Sequence, residues 1–305
     1  MTPPAPVDHI TQLVGNTPLV RVKMFSDLNP RLDVFAKWEW CNPGGSVKDR
    51  AALSMIEDGE RRGVLTRDRI LIDSTSGNTG IAYALIARAK GYRVRLVMPE
   101  NVSAERKRLA EAYGAELVYS DGMEGSDGAI RLCHELIERD PDLYFYPDQY
   151  NNPANPRAHY DGTAVEILTQ TGGRVSHFIA GLGTTGTFTG SARRLKEHDP
   201  SIRTIAVQPE DPFHGLEGLK HLPSAIPPGI WDPSLADDLW GAPTEGAYEL
   251  ARNLVRSEGV LVGHSSGAVL WAVSQLAREV DRGMVVVIFP DRGDRYLSTG
   301  LYGAR

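Results

Sequence analysis

Lys48 stands in the run Asn42-Pro43-Gly44-Gly45-Ser46-Val47-Lys48-Asp49-Arg50, where a glycine turn and a capping serine predict a helix start with a lysine in its first turn. A helix N-terminus carries roughly half a positive charge, so an ammonium there is disfavoured by about 0.3–1 kcal/mol. A lysine pressed toward its neutral amine suits Schiff-base chemistry. Taken by itself the run reads more readily as a capped helix whose lysine bends back into water.

Two other turns lack charged side chains. Ser74-Thr75-Ser76-Gly77-Asn78-Thr79-Gly80 lies between an apolar run at 69–73 and an apolar helix pattern over 81–90. Its small donor residues and the helix's free N–H groups make an anion site for a carboxylate or phosphate; a polar turn with an ordinary N-cap is the other reading. Gly181-Leu182-Gly183-Thr184-Thr185-Gly186-Thr187 follows the run 177–180 and again leads into a helix. It also satisfies G-x-G-x-x-G through Gly181, Gly183 and Gly186, with Glu210 placed where a ribose-binding acid would stand, so a dinucleotide competes for it. Its three threonines suit a compact phosphate better than a close-packed pyrophosphate turn, and no lysine follows to make a nucleotide P-loop. Gly263-His264-Ser265-Ser266-Gly267-Ala268 puts the Ser265 hydroxyl at the end of the run 260–262, as a partner for a ring nitrogen or as a helix cap. His264 has no positioned nucleophile, and G-x-S-x-G is absent. One ligand set meets all these features. Pyridoxal phosphate needs an amine for its aldehyde, a phosphate cradle and a ring-nitrogen partner, and its amino-acid substrate needs a carboxylate cradle.

The elements that must hold these turns follow from hydrophobic pattern. Runs rich in Val, Ile and Leu at 69–73, 93–99, 116–119, 177–180, 203–207, 260–262 and 285–289 read as buried strands, with helix-length segments between most of them. That alternation predicts βαβ units, hence an α/β fold with open, mostly parallel sheets flanked by helices, and ligands at the strands' C-terminal ends. At 305 residues the chain exceeds the usual reach of one core, which predicts two domains around a shared cleft. The turn-rich stretch 148–156 gives the boundary: a smaller domain over 1–150, with part of 13–35 joining the other sheet, and a larger cofactor-phosphate domain over 151–305. The irregular stretch 209–244 is long for a plain connection and reads as a functional loop.

Composition excludes several classes. A net charge of −6 with no basic stripe leaves nothing to attract a phosphate backbone, so nucleic acid is not expected as a partner. No signal-peptide pattern opens the chain and no run is apolar enough to span a bilayer, so the expectation is a cytoplasmic protein without a membrane partner. Cys41 and Cys133 read as reduced, partly buried thiols, and no zinc spacing occurs; no metal is expected.

At these residues the sequence resembles the cysteine synthase (O-acetylserine or O-phosphoserine sulfhydrylase) family of fold-type II, tryptophan-synthase-β-like pyridoxal phosphate enzymes, along essentially its whole length. Gly15-Asn16-Thr17-Pro18-Leu19 is similar to the family's opening motif and the run at 43–50 to its lysine motif. The turns at 75–80, 149–155, 183–187 and 263–268 and Tyr296-Leu297-Ser298-Thr299 match further motifs. The resemblance implies that Lys48 is the Schiff-base lysine and moves the substrate's Cα proton. It implies that Thr75, Ser76, Thr79 and Gln149 hold the substrate carboxylate and that Asn78 bonds the cofactor's 3′ oxygen. Gly183, Thr184, Thr185, Gly186 and Thr187 would then hold the cofactor phosphate, and Ser265 the pyridine nitrogen. Ser74 stands where the family usually has proline, Thr185 where a second glycine is common, and His264 where an apolar residue is usual. Lys220 falls where acetylserine-using members usually carry glycine, while phosphoserine-using members carry a basic residue in this loop.

The expected function is β-replacement: an activated L-serine, acetylated or phosphorylated on oxygen, loses its leaving group and a sulfur nucleophile adds to give L-cysteine. With it the resemblance implies a homodimer, small-molecule amino-acid and sulfur-donor substrates, and a sulfur-carrier protein or a serine acetyltransferase as protein partner. A cystathionine β-synthase-like enzyme, a serine/threonine dehydratase and an NAD-binding oxidoreductase are the alternatives.

Overall fold

A computed structural model describes residues 6–75, 77–102 and 104–303. In chain order its strands and α-helices are β1 (Leu19–Val22), β2 (Leu32–Trp38), α1 (Lys48–Arg61), β3 (Ile70–Ser74), α2 (Asn78–Lys90), β4 (Arg93–Pro99), α3 (Ala104–Ala112), β5 (Glu116–Ser120), α4 (Gly125–Arg139), β6 (Tyr144–Phe145), α5 (Ala154–Ala158), α6 (Ala164–Thr171), β7 (His177–Gly181), α7 (Gly186–His198), β8 (Arg203–Pro209), β9 (Asp238–Ala242), α8 (Thr244–Glu258), α9 (His264–Glu279) and β10 (Gly283–Phe289). They form two units. One comprises the N-terminal segment to Val14 and residues 42–154, the other residues 15–41 and 155 to the C-terminus.

The first unit is built on a parallel four-stranded sheet of order β5-β4-β3-β6. Side chains alternate across β3. Leu71 packs with Met55, Ile56, Tyr83 and Ile86 from α1 and α2, while Ile70 and Ile72 pack with Ala129 and Cys133 from α4. α1 is amphipathic, burying Ala51, Ala52, Met55, Ile56 and Gly59 at helical spacing. α2 is buried without interruption from Thr79 to Ala87, as a central crossover helix requires.

The second unit holds a six-stranded sheet of order β1-β2-β10-β7-β8-β9, parallel except for the β1–β2 pair. Val285 and Val287 face a core shared with α8 and α9, and Val286 and Ile288 face one shared with α6 and α7. Lys37 of β2 is fully buried. It pairs with Glu166 of α6 at 2.6 Å and donates to the Thr17 carbonyl and to Gln170 Oε1. Glu166 accepts from the Asn16 and Thr17 backbone N–H groups, and Thr17 Oγ1 donates to Glu39 at 2.7 Å. The Gly15-Asn16-Thr17 motif is thereby fastened to a buried ion pair, with Asn16 in the left-handed region at φ +48°.

Three expectations need correction. The run 260–262 is no ladder strand; Val262 makes one antiparallel bridge to Arg292. Ser265 therefore lies in the first turn of α9 rather than at a strand's end. The stretch 209–244 is less irregular than its composition implies, because its end is β9, paired in parallel with β8. Cys41 is exposed, while Cys133 is buried.

Candidate active site

α1 begins at Lys48. Ser46 does not cap it in the ordinary way; its hydroxyl accepts from the Lys48 N–H at 3.3 Å. The turn ahead of the helix is closed by Gly45 N–H donating to the Asn42 carbonyl and by Asp49, buried in the first helical turn, accepting from Gly44 N–H at 2.5 Å. Asp49 thus answers the helix N-terminus with negative charge while Lys48 is half-buried beside it.

In the same unit Thr75, Asn78 and Thr79 lie at the passage from β3 into α2; Ser76 lies outside the described residues. Gly77 precedes α2 in an extended conformation and, as a glycine, brings no side chain to the helix's first turn. Thr79 Oγ1 donates to Gln149 Oε1 at 2.9 Å, and both residues are buried. That bond orients the amide, with its oxygen engaged by Thr79. Thr75, Asn78 and Thr79 are thus neighbours in one turn, and Thr79 ties Gln149 to it.

In the second unit the turn 183–187 joins β7 to α7. A Cβ on Gly183 would lie 2.5 Å from the Gly218 carbonyl oxygen, and one on Gly186 would collide with the Asn155 carboxamide, so neither position has room for a side chain. Thr185 occupies the left-handed region at φ +70°, rare for a β-branched residue, and its buried Oγ1 has no hydrogen-bond partner. Asn155 Nδ2 donates to Thr184 Oγ1 at 3.2 Å. Buried His159, in a π-helical turn over His159–Thr163, bridges Thr163 Oγ1 at 2.9 Å and Thr187 Oγ1 at 3.3 Å. Sequence reasoning left out Asn155 and His159. Their contacts span 29 and 28 residues, and the one signal for them was the polar segment in which Asn155 ends a motif.

Lys220 is half-buried, and its backbone N–H donates to the Leu182 carbonyl at 2.8 Å, which holds its loop against the start of the turn. Leu216 and Leu219 anchor that loop in the core. Ser265 keeps a small accessible area, 8%, whereas Ser266 is fully enclosed. Buried His264 packs edge-on against Tyr296 at 4.5 Å between ring centroids and meets Thr299 Oγ1 at 3.4 Å, tying in the C-terminal motif. Among the described residues no cluster could hold a metal ion, and no helix is long and apolar enough to cross a membrane.

Open, mostly parallel sheets with glycine- and threonine-rich turns at strand ends, and a lysine opening a helix, define a class that the family comparison names. Residues 10–291 match the family "pyridoxal-phosphate dependent enzyme", and the chain belongs to it. Among its relatives, a cysteine synthase of Aquifex aeolicus is 52% identical over 97% of this chain and 92% of its own length. A cysteine synthase B of Salmonella typhimurium is 44% identical over 97% of each chain. The crystal structure of a cysteine synthase (OASS) from Entamoeba histolytica superposes with a TM-score of 0.95 at 35% identity, covering 100% of this chain and 94% of that one. Pyridoxal phosphate is the cofactor. The residues present fit it: a turn with no room for side chains at two glycines, a buried hydroxyl lacking a partner and a lysine at a helix start.

Proposed function

We propose that the protein is a cysteine synthase, replacing the β-substituent of an activated L-serine by a sulfur nucleophile to give L-cysteine. The observation that carries this reading is the buried, unpartnered Thr185 hydroxyl in a left-handed turn closed to side chains at Gly183 and Gly186. Such a turn is shaped for a phosphate, and the cysteine synthases at 52% and 44% identity supply the reaction. Bound pyridoxal phosphate supplies an electron sink that lets an amino acid lose its Cα proton and a β-substituent.

Each residue has a part in that reading. Lys48 holds the cofactor's aldehyde carbon and moves the substrate's Cα proton at Nζ. Gly183, Thr184, Thr185, Gly186 and Thr187 bind the cofactor phosphate through backbone N–H groups and hydroxyls, and Asn155 and His159 fix two of those hydroxyls. Asn78 donates to the 3′ oxygen. Ser265 meets the ring nitrogen; a hydroxyl cannot hold a proton there as a carboxylate would, which favours loss of a β-substituent over amino-group transfer. Thr75, Ser76, Thr79 and the Gln149 amide hold the substrate carboxylate. With this function go the homodimer implied by the sequence resemblance and the acceptance of small amino-acid substrates.

Lys220 bears on the donor. A phosphate leaving group carries about two negative charges and gains from a fixed cation as charge builds on it, whereas acetate needs none. The bond from Lys220 N–H to the Leu182 carbonyl fixes this lysine's backbone beside the glycine turn, and a cation in this loop supports O-phospho-L-serine as the preferred donor. The test measures L-cysteine formed from O-acetyl-L-serine and O-phospho-L-serine with sulfide, in wild type, Lys48→Ala and Lys220→Ala. Lys48→Ala should abolish product with either donor. Lys220→Ala should lower kcat/KM for phosphoserine alone; an equal loss for both donors contradicts the donor assignment, and no cysteine from wild type contradicts the function.

A further inference from the structure

Asp73 is the next-to-last residue of β3, two positions before Thr75, and is 2% exposed. One of its carboxyl oxygens, Oδ2, is buried without a hydrogen-bond partner. The Ser74 backbone N–H and the nearby Tyr83 hydroxyl of α2, itself donating to Met55 Sδ at 3.9 Å, favour the ionised carboxyl. The other titratable groups that act on it come from two more places: Cys133 from α4, and Tyr146, Asp148 and Tyr150 from the turn after β6. None of these can carry a positive charge. Burial, followed by Asp73 itself, pushes the Tyr150 hydroxyl and the Cys133 thiol up to about 12 and the Tyr146 hydroxyl higher still. Gln149 lies between Asp148 and Tyr150 in sequence and is tied to Thr79. Asp73 therefore has a carboxylate-binding residue on each side: Thr75 two residues along its own chain, and Gln149 within the segment that bears on it electrostatically.

We propose that Asp73 is a positioning residue for the substrate carboxylate: protonated, it leaves the donors of Thr75, Asn78, Thr79 and Gln149 free of negative charge, and ionised, it repels the incoming carboxylate and weakens binding. The inference rests on the reading of that turn as the carboxylate site. Burial pushes the Asp73 carboxyl up to about 7, against the pull of Ser74 and Tyr83 and with the help of Asp148, so the change of charge falls in the working range of pH. A like charge close to a bound carboxylate near a protein surface alters affinity by on the order of tenfold once salt is present. The same repulsion works in reverse: a bound carboxylate holds the proton on Asp73 more tightly.

The experiment follows propionate, which has a carboxylate and no amine, binding to the holoenzyme from pH 6 to 9 by perturbation of the cofactor's visible absorption. Wild-type affinity should be level at the acid end and fall on the order of tenfold through the neutral range. Asp73→Asn should remove that fall while keeping the acid-side affinity. Tyr83→Phe removes a donor that favours the ionised form and should move the fall to higher pH; Asp148→Asn, compatible with the left-handed backbone at φ +49°, should move it lower. A flat wild-type profile, an unaltered profile in Asp73→Asn, or no displacement in the other two variants overturns the inference alone. No propionate binding at any pH overturns the carboxylate reading of the turn along with it.

Discussion

Thr185 at φ +70° carries a backbone strain of about 1–2 kcal/mol that glycine would not, in a turn where its own hydroxyl has no partner. If that hydroxyl serves the cofactor phosphate, Thr185→Gly should do two opposite things. The cofactor-free protein should gain up to about 1 kcal/mol in denaturant unfolding, less than the full strain because glycine loses more chain entropy. Cofactor titration should show weaker binding; unchanged affinity would assign the strain no ligand role. Asp73 gives a second expectation. With its folded-state value raised to about 7, the folded protein holds a proton that the unfolded chain has released, so stability falls as pH rises from the ordinary carboxylate range to about 7 and is level above it. The loss is on the order of 4 kcal/mol, and Asp73→Asn should abolish this part of the pH dependence in melts at pH 5 and pH 8. Lys48 and the threonines of both turns were legible because each motif is contiguous and its chemistry is written in residue type. Asp73 was not, since a carboxyl in sequence is ordinary and only enclosure by Tyr83, Tyr146 and their neighbours changes its acidity.

At the scale of elements, Lys37 of β2, Glu166 of α6 and the turn at 15–17 form one hydrogen-bonded unit around the buried Lys37 ammonium. Lys37→Met would leave the Glu166 carboxylate without its cation and should cost about 3–5 kcal/mol by chemical denaturation. Adding Glu166→Gln should recover part of the loss; equal stability of wild type and Lys37→Met would mean the pair contributes nothing net. The same lysine explains why β2 was indistinct in sequence: a charge inside an apolar run breaks the pattern unless its partner, over a hundred residues away, is known. β9 hid for another reason. Asp238-Leu239-Trp240-Gly241-Ala242 has no β-branched residue and contains a glycine, and its pairing with β8 rather than its own propensity makes it a strand. Conversely, 260–262 has the Val and Leu content of a strand but makes only one bridge, with Arg292. The strands in the middle of both sheets, β3, β4, β7, β8 and β10, were plain in sequence because burial on both faces demands continuous apolar runs.

For the whole molecule, each unit has its own sheet and its own cores on both faces, and each has polar, glycine-containing turns where strands pass into helices. Many sheets of this kind bind ligands there, so the fold by itself leaves the chemistry open. What makes the chain a β-replacement enzyme in this account is one amine, at the start of α1, joined to pyridoxal phosphate. The most direct measurement is therefore borohydride reduction of the purified holoenzyme, followed by digestion and peptide mass analysis. The account predicts a pyridoxyl group fixed to the peptide containing Lys48 and to no other lysine, with visible absorption lost on reduction. A pyridoxyl group on a different lysine, or cofactor released unattached after reduction, would contradict it.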